Sequence, residues 1–61
     1  MNEIEELKSE WPIGSLVYYT EGGFLATVDG WDEDGYVVIL EANYAEEFVV
    51  PACDLEMRYK N

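Results

Sequence analysis

Apolar residues cluster in short runs separated by polar and glycine-containing breaks, and the runs change period along the chain. Ile4, Leu7 and Trp11 fall at i, i+3 and i+7, one stripe of a helix. Asn2 stands as its N-cap, with Glu3, Glu5 and Glu6 in the first turn, where the helix dipole favours negative charge. Pro12 disfavours helical backbone at Trp11, so the spacing predicts a helix over residues 2–10. Nine residues are too few to hold a helix alone in water, so this one is expected to dock on its own domain.

Beyond Pro12 the pattern turns to strands. Leu16, Val17, Tyr18 and Tyr19 form the first, within residues 15–20. Gly22-Gly23 makes a turn. In the second strand, residues 24–28, Phe24, Ala26 and Val28 alternate with Leu25 and Thr27. Residues 29–35 read as a polar loop ending in Asp34-Gly35, a strong hairpin signal. The third strand, residues 36–40, is apolar throughout, which predicts cover on both of its faces. Residues 41–47 read as a turn around Ala42-Asn43-Tyr44, followed by a fourth strand at Phe48-Val49-Val50. Pro51 opens a tight turn, and residues 55–59 supply a short fifth strand.

Short strands with turns every few residues predict a mainly β protein, a small five-stranded barrel, because closure limits unpaired edges. The domain organisation follows: an amphipathic helix over residues 1–12 and a β-barrel over residues 13–61. Strands one and four are the expected edges, which leaves a homodimer open.

Charge adds the next constraint. The chain has 61 residues, 14 acidic against 3 basic, and a net charge of −11. Between Lys8 and Arg58 there is no basic residue, although that stretch holds the strands. An aromatic content of 15% argues against a solvated acidic tail. The surface is therefore folded and acidic: it repels nucleic acid and anionic membrane and attracts basic partners. No segment approaches the ~20 apolar residues of a membrane span. The acidic start is unlike a signal peptide, and a lone Cys53 suits a reducing, cytoplasmic setting. Cys53 itself is expected as a small, partly buried hydrophobe.

The order of elements resembles SH3-like barrels of the Tudor and KOW-like kind. The resemblance lies in Gly14-Ser15-Leu16-Val17, the Gly-Gly turn before Phe24-Leu25-Ala26-Thr27-Val28, the Asp-Gly hairpin before Tyr36-Val37-Val38-Ile39-Leu40, and the closing Glu47-Phe48-Val49-Val50-Pro51 and Asp54-Leu55. Asp32-Glu33-Asp34-Gly35 and Val50-Pro51 also resemble parts of the KOW-like domain that precedes Smr in some bacterial MutS-related proteins. It spans roughly residues 13–57 and is one of hydrophobic and glycine spacing. For a Tudor-like fold it implies a ring cage for methylated ammonium groups, with Phe24 and Tyr44 in matching positions and Tyr18 or Tyr19 and Tyr36 as further walls. This chain has Asn43-Tyr44-Ala45-Glu46 where the family has Asp-Tyr-Gly-Asn, which weighs against methyl-specific binding. The RNA binding of KOW domains relies on basic loops, which are absent here.

Candidate chemistry is sparse. The chain has no histidine, no nucleophile–base pair and no phosphate-cradling glycine motif, so it reads as non-catalytic and without cofactor. Residues 30–41 approach an EF-hand spacing, but Gly30 stands where the first ligand belongs, so no metal is assigned. Trp31 sits among acids, either folded over an open end of the barrel or serving as an anchor for a partner. The partner-binding set expected from sequence is Phe24, Asp29, Trp31, Asp32, Glu33, Asp34, Tyr44, Glu46 and Glu47. Three functions fit. One is an acidic module that binds a basic protein surface or peptide. Another is a DNA mimic that occupies the nucleic-acid site of a restriction, CRISPR, repair or transcription protein. The third is a structural or oligomerising accessory protein.

Overall fold

The computed structural model describes residues 3–61, and for Glu3 the backbone alone. Helix α1 spans Glu3–Glu10; the expected cap at Asn2 lies outside the described residues. Five strands follow: β1 Leu16–Tyr19, β2 Phe24–Trp31, β3 Tyr36–Glu41, β4 Glu46–Pro51 and β5 Leu55–Tyr59. A 3-10 turn at Ala52–Asp54 joins the last two. All pairings are antiparallel, in the order β4-β3-β2-β1-β5. The mainly β architecture with one short helix is as expected.

The outer strands of this sheet, β4 and β5, are neighbours in sequence. In a flat sheet they would stand about 19 Å apart, four spacings of ~4.8 Å. The 3-10 connection advances only about 8 Å. The sheet must therefore curl, and its concave side holds one core: Val17, Ala26, Val28, Val37, Ile39, Val50 and Leu55, drawn from all five strands. Leu7 and Trp11 of the helical segment pack against the same core, so the helix docks on its own domain as expected. No ladder between β4 and β5 closes the ring among the described residues. What is shown is an open, curled sheet. Its edges are β4 and β5; β1, expected at an edge, is paired on both sides.

Two strands run further than their patterns suggest. Strand β2 continues through the expected loop to Trp31, because its pairing with β3 shifts between Val28 and Gly30. Asp29 is the extra residue of a β-bulge, and a bulge reverses the inside–outside alternation beyond it. Strand β4 begins at Glu46, so the β3–β4 turn is confined to residues 42–45.

Two further expectations need correction. Strand β3 is fully buried on one face and only partly covered on the other: Val37 and Ile39 are fully buried, Val38 and Leu40 are half-buried, and Tyr36 is exposed. Its all-apolar sequence therefore overstates the burial within this chain. Cys53 is exposed, because the 3-10 turn projects it outward, with its Sγ 3.9 Å from Asp54 Oδ1. Gly14 is more than a lead-in to β1. It adopts φ 91°, and Asn61 lies across it, donating from Nδ2 to the Ile13 carbonyl at 2.8 Å and from its backbone N–H to buried Ser15 Oγ at 3.0 Å.

Candidate functional site

The bulge at Asp29 determines where Trp31 goes. Without it, Trp31 would share the outer face with Thr27; with it, Trp31 turns toward α1. There the indole Nε1–H donates to the Trp11 carbonyl at 2.8 Å. Trp11 in turn closes the end of the helix, donating its N–H to the Leu7 carbonyl at 2.8 Å. The ring is thus fixed between helix and sheet, half-buried. Its exposed part faces an open groove of about 610 Å³ lined by Ile4, Lys8, Trp31, Asp32, Glu33 and Asp34. The Lys8 ammonium sits 5.6 Å from the Trp31 ring centroid, within reach of cation–π attraction.

The β2–β3 turn below the groove is built on one carboxylate. Asp32 Oδ1 accepts the backbone N–H of Asp34 at 2.9 Å and of Tyr36 at 3.0 Å. This is an Asx-type turn, in which a side-chain oxygen replaces a backbone acceptor. Gly35 completes it at φ 89°. Asp32 therefore shapes the loop, while exposed Glu33 and Asp34 carry its free charge.

The other residues expected at the site lie elsewhere. Tyr44 is at the far end of β3, five residues and about 17 Å along the strand. It is 77% exposed and sits in a turn held by Glu41. Glu41 is buried; its Oε1 accepts the Tyr44 N–H at 3.0 Å and its Oε2 accepts from Asn43 Nδ2 at 3.3 Å. Glu46 pairs with Glu41 across the hairpin. Phe24 packs against Tyr19 and Phe48, with ring centroids 5.4 and 5.2 Å away. These three rings fill one another's faces and edges instead of walling an open seat for an ammonium group.

Asp29 and Glu47 make a third place, on the outer face. The bulge brings the Asp29 carboxyl into hydrogen-bonding contact with that of Glu47. The shared proton, then repulsion from Asp29, raises the Glu47 pKa above the usual Glu range.

The nine residues chosen from sequence thus divide among three locations: Trp31, Asp32, Glu33 and Asp34 at one hairpin; Phe24, Tyr44 and Glu46 at the opposite end; Asp29 and Glu47 between. Sequence reasoning missed Lys8, Trp11 and Glu41. Asp-x-Asp-Gly carries the signal for the Asp32 turn, and Gly30 inside a strand pattern signals the bulge. Nothing in the spacing links Lys8 to Trp31.

Among the described residues no group of three His, Cys, Asp or Glu side chains is placed to hold a metal ion. No described helix is long and apolar enough to cross a membrane. No known protein family, curated protein or solved structure matches this chain. The functional reading therefore rests on the geometry. An aromatic face beside carboxylates is suited to holding an ammonium or guanidinium group.

Proposed function

We propose that this protein is a non-catalytic interaction module that binds a basic protein surface or peptide in the groove between α1 and the β2–β3 hairpin. The observation that carries this reading is Lys8 over Trp31: the groove accepts an ammonium group of the chain itself, with Glu33 and Asp34 free beside it. A lysine or arginine of a partner takes the place of Lys8. The net charge of −11 steers such a partner in and speeds its association.

The scaffold of this module is, in the same reading, an SH3-like barrel. A meander with β5 beside β1, a three-residue 3-10 link and one core shared by all strands support it. Cross-strand contacts between the backbones of β4 and β5, measured by NMR, would establish closure; their absence leaves a curled open sheet.

The test is titration with an oligolysine peptide across a salt series. Glu33→Gln with Asp34→Asn is expected to weaken binding about fivefold, the scale of two exposed charge pairs. Lys8→Gln is expected to strengthen it, because the seat is then vacant. No binding at low salt, or unchanged binding in the double variant, would overturn the reading. The DNA-mimic alternative predicts a loss spread evenly over carboxylates on every side and competition with duplex DNA. Asp32 and Glu41 are held by their own turns and so break the run of free carboxylates, which favours a protein partner over imitation of a continuous charged backbone.

A further inference from the structure

The two free edges of the curled sheet are built differently. Strand β5 carries features that discourage another strand from pairing with it. Its register with β1 breaks at Arg58, the extra residue of a bulge, and Arg58 and Lys60 put positive charge along it. Strand β4 lies against β3 in unbroken register over six positions, from Glu46 to Pro51. Between Glu47 and Pro51 it has no bulge, proline or charge, and Val49 is 54% exposed.

Hydrogen bonds fix which backbone groups face outward. Tyr36 bonds toward β2: its carbonyl accepts the Asp32 N–H at 2.9 Å, and its N–H donates to Asp32 Oδ1 at 3.0 Å. Backbone groups alternate sides along a strand, so Val37, Ile39 and Glu41 bond toward their β4 partners Val50, Phe48 and Glu46. The N–H and C=O groups of Glu47 and Val49 therefore point away from the sheet. Strand β5 does not take them: beyond the 3-10 link it diverges from β4 and pairs with β1. A barrel closed at that link leaves them open. Such a row is a template for an extended strand.

Symmetry and charge choose the strand. Pairing β4 of one copy with β5 of the next runs head to tail into a ring or filament, whereas β4 against β4 closes as a two-fold dimer. Opposed residues in such a pair share a face, so the axis falls at Val49 or at Phe48. Centred on Val49, the two Glu47 residues lie four positions apart, about 14 Å along the strands; centred on Phe48 they lie about 7 Å apart. The longer separation exceeds the ~8 Å screening length of physiological salt. On a chain of net charge −11, repulsion selects the Val49 register, in which no acid faces an acid.

We propose that β4 is the interface of a homodimer, its two copies paired antiparallel about Val49. The Val49 N–H and C=O groups exchange two hydrogen bonds, and each Glu47 N–H meets the Pro51 carbonyl of the second copy. The cross-strand row of Val38 and Val49 then continues across the axis. This inference is independent of the basic-partner reading.

The test is sedimentation across protein concentration and salt, with NMR on an equal mixture of isotope-labelled and unlabelled protein. Association is expected to tighten about tenfold from about 0.02 M to about 0.5 M salt, as screening relieves the net charge; binding of a basic partner weakens under the same change. Cross-copy contacts are expected from Val49 to Val49 and from Glu47 to Pro51. Val49→Lys lowers the net charge yet sets like charges on the axis, so it is expected to weaken association about tenfold. Val49→Pro, which removes an outward N–H and spares the ladder with β3, serves if the first variant loses its dispersed amide spectrum. A monomer at every salt up to about 1 mM protein overturns the proposal, as does association unchanged in the variant. Ladder contacts from Val49 to β5, within one copy or across copies, overturn it too. Shifts of the Glu47 and Val49 amides when oligolysine is added to a monomer assign the edge to an extended basic peptide and overturn the dimer.

Discussion

The two hairpins at opposite ends of β3 solve the same problem with different materials. At each, one carboxyl group accepts N–H donors that the turn would leave unpaired: Asp32 in the β2–β3 turn and Glu41 in the β3–β4 turn. Asp32 is partly exposed and its turn ends in a glycine at φ 89°. Glu41 is buried, and its turn ends in Ala45 at φ 53°, a backbone region that L residues rarely adopt. The first turn is relaxed and supports the groove. The second is strained and presents an exposed Tyr44. A count of acids along the chain treats these carboxylates alike, but two of them hold turns and are not free to meet a partner.

The largest difference between the ends should come from removing each carboxyl group. Glu41→Ala removes a buried carboxyl together with its part-buried bonds to the Tyr44 N–H and Asn43 Nδ2, and about 2 kcal/mol of stability should go with it. Asp32→Ala releases N–H groups that solvent can satisfy, so about 1 kcal/mol is expected. Denaturant midpoints at unchanged m-value measure both. Equal losses would break the contrast between a buried and an open turn. The same result bears on binding experiments: Asp32 must be left intact when the charge of the groove is tested, or a misshapen loop will pass for a lost contact.

A smaller pair of effects should have opposite signs. Left-handed backbone costs an L residue ~1–2 kcal/mol, and glycine gives back ~0.5–1 through its freer unfolded chain. Ala45→Gly should therefore stabilise the protein by about 0.5–1 kcal/mol. Gly35→Ala should destabilise it by about as much, through backbone strain alone, since no atom lies within 4 Å of the added Cβ. Thermal midpoints moving in the same direction for both variants would refute the assignment of strain to one turn and ease to the other.

How far the sequence discloses this molecule depends on which signal is local. The strands were legible because Val17, Ala26, Val28, Val37, Ile39 and Val50 sit at period two, and the turns because Gly23 and Gly35 mark them. The ends of β2 were not, because a bulge breaks period two and makes Trp31 read as a loop residue. The helix stripe was legible; that its last residue would accept the Trp31 N–H was not, since the two tryptophans are twenty positions apart. Grouping Trp31 with Tyr44 failed because residue type carries no distance, and the length of β3 separates them. Buried Glu41 was hidden by composition: one acid among fourteen gives no sign of facing inward.

The mildest test concerns the acids between the two ends. Asp29 and Glu47 meet on the open outer face, and the shared proton, followed by repulsion from Asp29, raises the Glu47 pKa above its ordinary value of 4.5. The folded protein therefore holds that proton more tightly than the unfolded chain does. The contact favours folding at pH below the unfolded value, and that contribution is lost as pH rises through the raised folded value. Above it both carboxylates are ionised and repel. Glu47→Gln removes the repulsion, so the variant should be the more stable protein at neutral pH. Its advantage should shrink as the pH falls toward 4.5 and should narrow with added salt, which screens an exposed pair. Melting curves of both proteins across that pH range at two ionic strengths read the effect. A neutral-pH advantage that persists unchanged into acid would mean that the gain comes from something other than the Asp29 contact.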